Sequence, residues 1–362
     1  MTDAADETPA RGAGSRPGDG RRRRFLSPDA AFGWMSRLSA CVVLLMLAAL
    51  LFVLGEAAIP AIRDYGARFL VSSDWRPNEL EIPKRDARGK LVFDGGEVVT
   101  EKIPPSFGAL PVVYGTLISS ALALLFAVPL SLGAAIFLVR IAPPRVRGLV
   151  SFLVEFLATI PSIAYGVWGL FVLAPLLQDH VEPALQSLLQ HLPGFGWLFM
   201  DTHGRPLALT GRDMFCGGLI LAIMILPIIT AISRDVLHAV PRAQIEGALA
   251  LGATWWESIK VMLAYSRSGL FGAVILGLAR AAGETMAVTM VIGNNNQIQP
   301  SPFAPAQTMS SLLANEFSEA ETVAHRSALV EVALILLLLS LAFNIVARML
   351  FVGSSVQPSR AA

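Results

Sequence analysis

Six apolar stretches, each long enough to cross a hydrocarbon layer, constrain this 362-residue chain more than any other feature. An α-helix satisfies its backbone hydrogen bonds internally, so a run of about 20 apolar residues can span a bilayer without exposing unpaired amides. The stretches run approximately from Leu38 to Ile59, Pro111 to Val139, Leu149 to Leu177, Cys216 to Ser233, Gly269 to Ile292 and Leu329 to Leu350. Charged residues make up only 15% of the chain, against about a quarter in a soluble domain, and mean hydropathy is +0.60. The expected fold class is therefore all-α integral membrane, with six transmembrane helices. A net charge of +1 gives the molecule no general electrostatic attraction for nucleic acid. Cys41 and Cys216 lie inside apolar runs, with no spacing that suggests a disulfide framework or a zinc site.

The polar segments set the orientation. Residues 1–24 are mostly Gly, Pro, Ala, Asp and Arg and read as disordered, within a basic cytoplasmic leader at 1–36. The first apolar run, taken as a transmembrane helix at 37–61, is too long and too far from the start for a cleaved signal peptide. Arginines and lysines near span ends in short loops favour the cytoplasmic side. Arg21–Arg24, Arg37, and the short connections carrying Arg140, Arg145, Arg147, Arg234, Arg242, Lys260 and Arg267 are accordingly placed inside. The longer 62–110 segment becomes a periplasmic loop, the transmembrane domain covers 111–351, and 352–362 is a cytoplasmic tail. Both termini then face the cytoplasm. Residues 184–200, interrupted by Pro193-Gly194, read as an interfacial outer segment. A seventh span there would export the basic 234–267 loop. Pro161 and Pro227 fall inside expected spans, where neighbouring helices can satisfy the freed carbonyls.

Ionisable residues within a span are expensive and need a polar cavity or a partner. "GLARAAGETMAVTMVIGN", Gly277–Asn294, places Arg280 and Glu284 one helical turn apart. Arg before Glu is the weaker order for a helical pair, so a local salt bridge explains them poorly. Gly269, Ala273, Gly277, Ala281 and Thr285 form a small-residue stripe on the same helix, suited to close packing at a subunit interface. Arg280, on an adjacent face, could donate bidentate hydrogen bonds to an oxyanion. Glu284 would orient it and keep binding transient, with Thr285 beside them. Glu155, Ser162 and Tyr165 in the third span are further pathway candidates. The five histidines suggest no metal cluster, and no catalytic residue or cofactor is expected. No Gly-rich loop ending in Lys-Ser/Thr is present to cradle a nucleotide, so any ATP chemistry belongs to another subunit.

Between spans four and five, "HAVPRAQIEGALALGATWWESIKVMLAYSRSGL" is too helix-prone for a plain linker. Glu246–Leu251 is expected to form a short helix, Gly252 to break it, and Trp255–Leu263 to form a second, amphipathic helix. "EGALALGATWWESIKVMLA" resembles the Glu-Ala-Ala loop of ABC-importer permeases. Glu246, Ala248 and Gly252 match that pattern, while Gly247 stands at its second position and Ala264 where proline is usual. The resemblance implies that residues 235–266 form a coupling loop, with Glu246, Gly247, Ala248, Gly252 and Ala253 docking into an ATPase subunit. "FGALPVVYGTLISSALALLFAVPLSLGAAIFL", "IPSIAYGVWGLFV", "LAIMILPIITAISRDVL" and "LGLARAAGETMAVTMVIGN" are similar to PstC-type subunits of phosphate importers, over about 107–294 apart from the 178–214 insert.

That resemblance implies a type I, MetI-like ABC permease core with an appended N-terminal helix, in the bacterial inner membrane. It further implies a PstA-like second permease, two PstB-like ATPase subunits, a periplasmic PstS-like phosphate-binding protein, and phosphate as the transported ion. From the residues alone two alternatives stay open. One is a permease for another oxyanion, such as sulfate or molybdate. The other is a membrane-embedded enzyme or sensor using Arg280 and Glu284 as an acid–base pair.

Overall fold

The structure, a computed structural model, describes residues 28–83, 93–94, 97–98 and 100–352. The expectations for residues 1–27 and for the tail at 353–362 lie outside the described residues. The chain divides into two units, residues 1–53 and 54–362. The described part of the first unit is the beginning of helix α1 (Pro28–Tyr65). Pro28 opens the helix, where its missing N–H costs nothing. Residues 28–36 are therefore helical rather than part of a disordered leader, and the helix does not wait for residue 37. Leu44, Leu45, Met46 and Phe52 are exposed, as a helix immersed in lipid requires.

The second unit begins with the end of α1 and a short turn of helix, α2 (Arg68–Val71). The segment expected as a plain loop then folds into two small antiparallel ladders. Strand β1 (Leu80–Pro83) pairs with β4 (Thr100–Ile103), Leu80 opposite Ile103, and β2 (Phe93–Asp94) pairs with β3 (Glu97–Val98). Helix α3 (Leu110–Ile136) follows and ends in a π-turn at Phe137–Ile141.

The next span departs from its expected limits. Residues Pro144–Thr159 form a separate helix, α4, and the chain is extended at Ile160 and Pro161. The membrane-length helix starts only at Ser162 and runs to Leu189. It comprises α5 (Ser162–Trp168), a π-turn (Gly169–Leu173), α6 (Ala174–Leu176), a second π-turn (Leu177–Val181) and α7 (Glu182–Leu189). Proline explains the break: Pro161 disfavours helical geometry at Ile160 and supplies no amide to the ladder. Part of the stretch read as interfacial is thus the end of the third span, followed by a short 3₁₀ turn at Gly196–Phe199.

Helix α8 (Met214–His238) is the most enclosed of the spans. It is apolar on all sides, the pattern of a helix surrounded by others. Leu221, Ile225 and Ile229 pack with Ala123 and Ala127 of α3. The Ser131 hydroxyl donates to the Leu226 carbonyl at 3.1 Å, beside Pro227, where the ladder lacks a donor. After α9 (Arg242–Ala250) comes α10 (Trp255–Ala282), one unbroken helix of 28 residues. It absorbs both the amphipathic segment expected at Trp255–Leu263 and most of the fifth span. It stops at Ala282, and α11 (Met286–Val291) resumes after a break at 283–285. The fifth span is therefore not a continuous helix to Ile292.

Helices α12 (Met309–Glu316) and α13 (Val323–Val352) complete the unit. Beside them Phe69, Trp75 and Phe107 form an aromatic cluster, with Trp75 and Phe107 edge to face at 5.1 Å between ring centroids. Six helices are long and apolar enough to cross a membrane: Phe32–Tyr65, Leu110–Ile141, Ser162–Leu189, Met214–His238, Trp255–Ala282 and Val323–Val346.

Candidate functional site

The small-residue stripe of the fifth span is used within the chain. A Cβ built on Gly269 would lie 2.5 Å from Val236 Cγ1, and one on Gly277 would lie 2.7 Å from Ile229 Cδ1, both on α8. Ala273 and Ala281 are buried in the same contact. The expectation that the stripe lines a subunit interface is corrected: close packing of α10 on α8 consumes it.

That packing turns Arg280 outward. It sits in the last turn of α10 and is exposed, and no ion pair or hydrogen bond involves its guanidinium among the described residues. Glu284 is half-buried in the break and does not pair with Arg280. The i, i+4 spacing fails because the helix ends between the two residues. Gly283 N–H donates to the Ala279 carbonyl at 3.3 Å and Glu284 N–H to Ala281 at 3.3 Å, and the ladder then stops. Thr285 precedes α11, and its hydroxyl donates to the Gly283 carbonyl at 3.4 Å.

The third span is broken too, and the two breaks are neighbours. A Cβ on Gly166 of α5 would lie 2.8 Å from Met290 Sδ and 2.9 Å from Ala287 Cα of α11. The short helices that follow each break thus lie backbone against backbone. Ser162 opens α5 and is half-buried. Tyr165 is buried, and its hydroxyl donates to the Leu157 carbonyl at 2.9 Å, closing the gap left by Pro161. Tyr165 therefore serves the break, not a pathway. Glu155 is also corrected. It lies on α4, outside the third span, and binds Arg234 Nη1 at 3.1 Å. The pair is partly solvated and sits at the end of α8 that carries the basic connections.

At that same end α9 and the start of α10 make an elbow. Ile245 anchors α9 in a cluster with Leu237, Ile259 and Met262. Gly252 takes φ +86°, a left-handed turn that a side chain disfavours. Thr254 then starts α10 with a reciprocal cap: its amide donates to Glu257 Oε2 at 2.7 Å and its hydroxyl accepts from Glu257 N–H at 3.3 Å. Glu246, Gly247, Leu249, Leu251, Trp255 and Trp256 stay exposed, Leu251 at 91%. Ala248 and Ala253 are half-buried within the bend. A cavity of about 420 Å³ opens beside the elbow, lined in part by Arg140, Arg147, Arg242 and Glu246.

One ionisable pair escaped the sequence reading. Glu182 at the start of α7 and Asp213 at the cap of α8 are both fully buried. Asp213 Oδ1 accepts the Cys216 amide at 2.8 Å. The two carboxyls lie within hydrogen-bonding reach of each other, and no basic side chain faces them. Burial, reinforced by the Glu182 charge, pushes the Asp213 carboxyl up to about 8. The available signal was Asp213 itself, an N-cap residue just ahead of an apolar run. Its partner is far away in sequence and left no trace in local spacing.

Six membrane-length helices, two broken spans facing each other and an exposed apolar elbow at one end define a multi-pass membrane protein built to move against partners. The comparisons agree. Residues 127–351 match the family described as binding-protein-dependent transport system inner membrane component. The chain is 43% identical over 331 residues to the phosphate transport system permease protein PstC of Mesorhizobium japonicum, covering 91% of this chain and 92% of that protein. It is 41% identical to the protein of the same name from Pasteurella multocida, covering 88% and 90%. It is also similar to a solved chain of the inward-facing MetNI methionine ABC transporter, with a TM-score of 0.47 and 15% identity, covering 68% of this chain and 94% of that one. The chain belongs to the family of binding-protein-dependent transport system inner membrane components. It is a permease subunit of an ABC importer, a transport component and not an enzyme.

Proposed function

We propose that this permease imports inorganic phosphate, and that Arg280 is where the ion pauses. One observation supports this above the others: a permanently charged guanidinium, exposed and without a protein partner, at the end of a membrane span. Such a group needs water or an anion beside it, and the planar fork fits a tetrahedral oxyanion. Glu284, held close by in the break, limits how long a multiply charged anion stays. A pathway requires binding weak enough to release. The relatives' printed names supply phosphate as the ion, and the resemblance of the elbow and the Gly277–Asn294 stretch to PstC-type subunits agrees with it.

In this reading the arginine-lined elbow faces the cytoplasm, as do both termini. A PstA-like permease faces the broken spans, PstB-like ATPases grip Glu246–Ala253, and a PstS-like binding protein docks at the opposite end. Helix α10 joins the two working ends. From Trp255 to Arg280 it extends about 37 Å at the usual helical rise. Movement of the elbow on ATP binding is therefore delivered to Arg280 by a single rod.

Radiolabelled phosphate uptake by the complete transporter tests the proposal. Arg280→Ala should abolish uptake while the ATPase still co-purifies, and normal uptake would remove Arg280 from the pathway. Excess unlabelled sulfate or molybdate should leave uptake unchanged. Competition by either would reassign the ion. Gly252→Ala forces a left-handed position on a residue with a Cβ, costing about 1–2 kcal/mol. Co-purification of the ATPase should weaken, and undiminished association would exclude the elbow as the docking element.

A further inference from the structure

The break in the fifth span is held from outside by a hydroxyl. Ending α10 at Ala282 frees backbone groups that hydrocarbon cannot satisfy. Within the span, Thr285 and Thr289 serve part of this need, Thr289 Oγ1 donating to the Thr285 carbonyl at 2.7 Å. The Glu284 carbonyl is served differently: Ser310 Oγ on α12 donates to it at 2.7 Å. Among the described residues, this is the side-chain hydrogen bond that reaches residues 283–285 from another element.

Ser310 is itself steadied. Its hydroxyl lies 3.2 Å from Thr308 Oγ1. Thr308 caps α12 reciprocally with Ser311, Thr308 N–H to Ser311 Oγ at 2.9 Å and Ser311 N–H to Thr308 Oγ1 at 3.1 Å. Met309 N–H donates to Thr116 Oγ1 on α3 at 2.9 Å, and Thr116 in turn donates to the Val112 carbonyl at 2.7 Å. Next to Thr116, Gly115 lies so close to the Gln307 carbonyl that a side chain would not fit. Thr116, Thr308, Ser310 and Ser311 are all buried. The far end of α12 is tied as well: Glu316 Oε2 accepts Trp75 Nε1–H at 2.9 Å and lies 3.0 Å from His325 Nε2. Helix α12 is thus fixed at both ends and touches the break through one hydroxyl.

We infer that Ser310, oriented by Thr308 and Thr116, is a positioning residue that holds the Glu284 backbone and thereby sets where Arg280 and Glu284 point. The inference rests on the pathway reading of Arg280. Its role is to keep the bend of the fifth span in one geometry while α10 moves. A neutral hydrogen bond of this kind is worth about tenfold in an equilibrium.

The test is phosphate uptake by the assembled transporter, normalised to the permease in the membrane and to co-purified ATPase. Ser310→Ala should lower the maximal rate about tenfold, and Ser310→Thr, which keeps the hydroxyl, should stay within about twofold of the parent. Ser310→Cys, a weaker donor of similar size, should fall between them and stands in if the alanine variant does not accumulate. Combined with Arg280→Lys, Ser310→Ala should reduce the residual rate by much less than it does alone, because both act on one charged pair. Normal uptake by Ser310→Ala or Ser310→Cys, equal loss in the threonine and alanine variants, or full multiplication with Arg280→Lys would each overturn the role. Impaired Arg280→Ala with normal Ser310→Ala defeats this inference alone. Normal uptake by Arg280→Ala defeats the pathway reading itself.

Discussion

Arg280 and Glu284 have opposite charges, lie one turn apart in sequence and do not meet; Glu182 and Asp213 have like charges, lie far apart in sequence and face each other in a sealed contact. The first pair is separated by the end of a helix, the second brought together by two span ends packing side by side. Exposure differs in the same sense. Arg280 is open and Glu284 half-open, whereas both carboxyls of the second pair are fully buried. Charge left open in a membrane span is available to a moving ion. Charge closed away without a cation must instead keep a proton, because two carboxylates in contact cannot both ionise at low energetic cost. Pairing in these helices therefore follows where the helices stop, not the spacing of residue types.

Three substitutions probe the contrast. The largest effect is expected at Arg280. Arg280→Lys keeps the charge but loses the fork, and should retain a measurable part of the uptake that Arg280→Ala loses, the alanine variant falling about 100-fold or more. Equal loss in both would make the bidentate geometry, and not charge alone, the requirement.

The buried pair should show itself in stability. Asp213 is near 3.8 in the unfolded chain and about 8 when folded. The folded state then holds a proton that the unfolded state has lost across this window. Its contribution is complete at acidic pH, declines as pH rises between those values, and is gone above about 8. The apparent melting temperature of the detergent-solubilised protein should carry this decline. Asp213→Asn keeps a side-chain acceptor for the Cys216 amide and should flatten it. An unchanged pH profile in the variant would show that the pair is solvated or bridged.

The smallest effect is expected at Glu155. Its ion pair with Arg234 is partly solvated, and such pairs contribute about 0–1 kcal/mol. Glu155→Gln should leave uptake and melting nearly unchanged. A large loss of transport would return Glu155 to the pathway and blur the distinction between open and surface charge.

Much of this architecture is legible in the residues. Long apolar runs report six spans because the bilayer leaves helices as the economical solution, and Gly252 marks the elbow because a left-handed turn selects glycine. The helix ends are less legible. Pro161 was readable as a kink, but whether neighbouring helices would absorb it or let the span restart at Ser162 depends on packing. The break after Ala282 carries no proline, only Gly283 within an otherwise helix-prone stretch. The small-residue stripe was visible, but which partner it met was not, since any smooth helix fits such a surface. Ser310 and Glu182 acquire their roles through contacts with distant segments, which local periodicity does not encode.

The two π-turns of the third span carry a consequence for insertion and deletion. A π-turn accommodates one more residue than an α-turn in the same stretch, and one residue corresponds to about 100° of rotation around an α-helix. The turn at Leu177–Val181 therefore acts as a phase adjuster for all that follows it. Removing one residue there would let the helix run on as ordinary α, turning α7 by roughly a quarter of a revolution. Glu182 would swing away from Asp213 toward a different neighbour without any change in its own identity. In this span, the number of residues in a turn decides which chemistry faces inward.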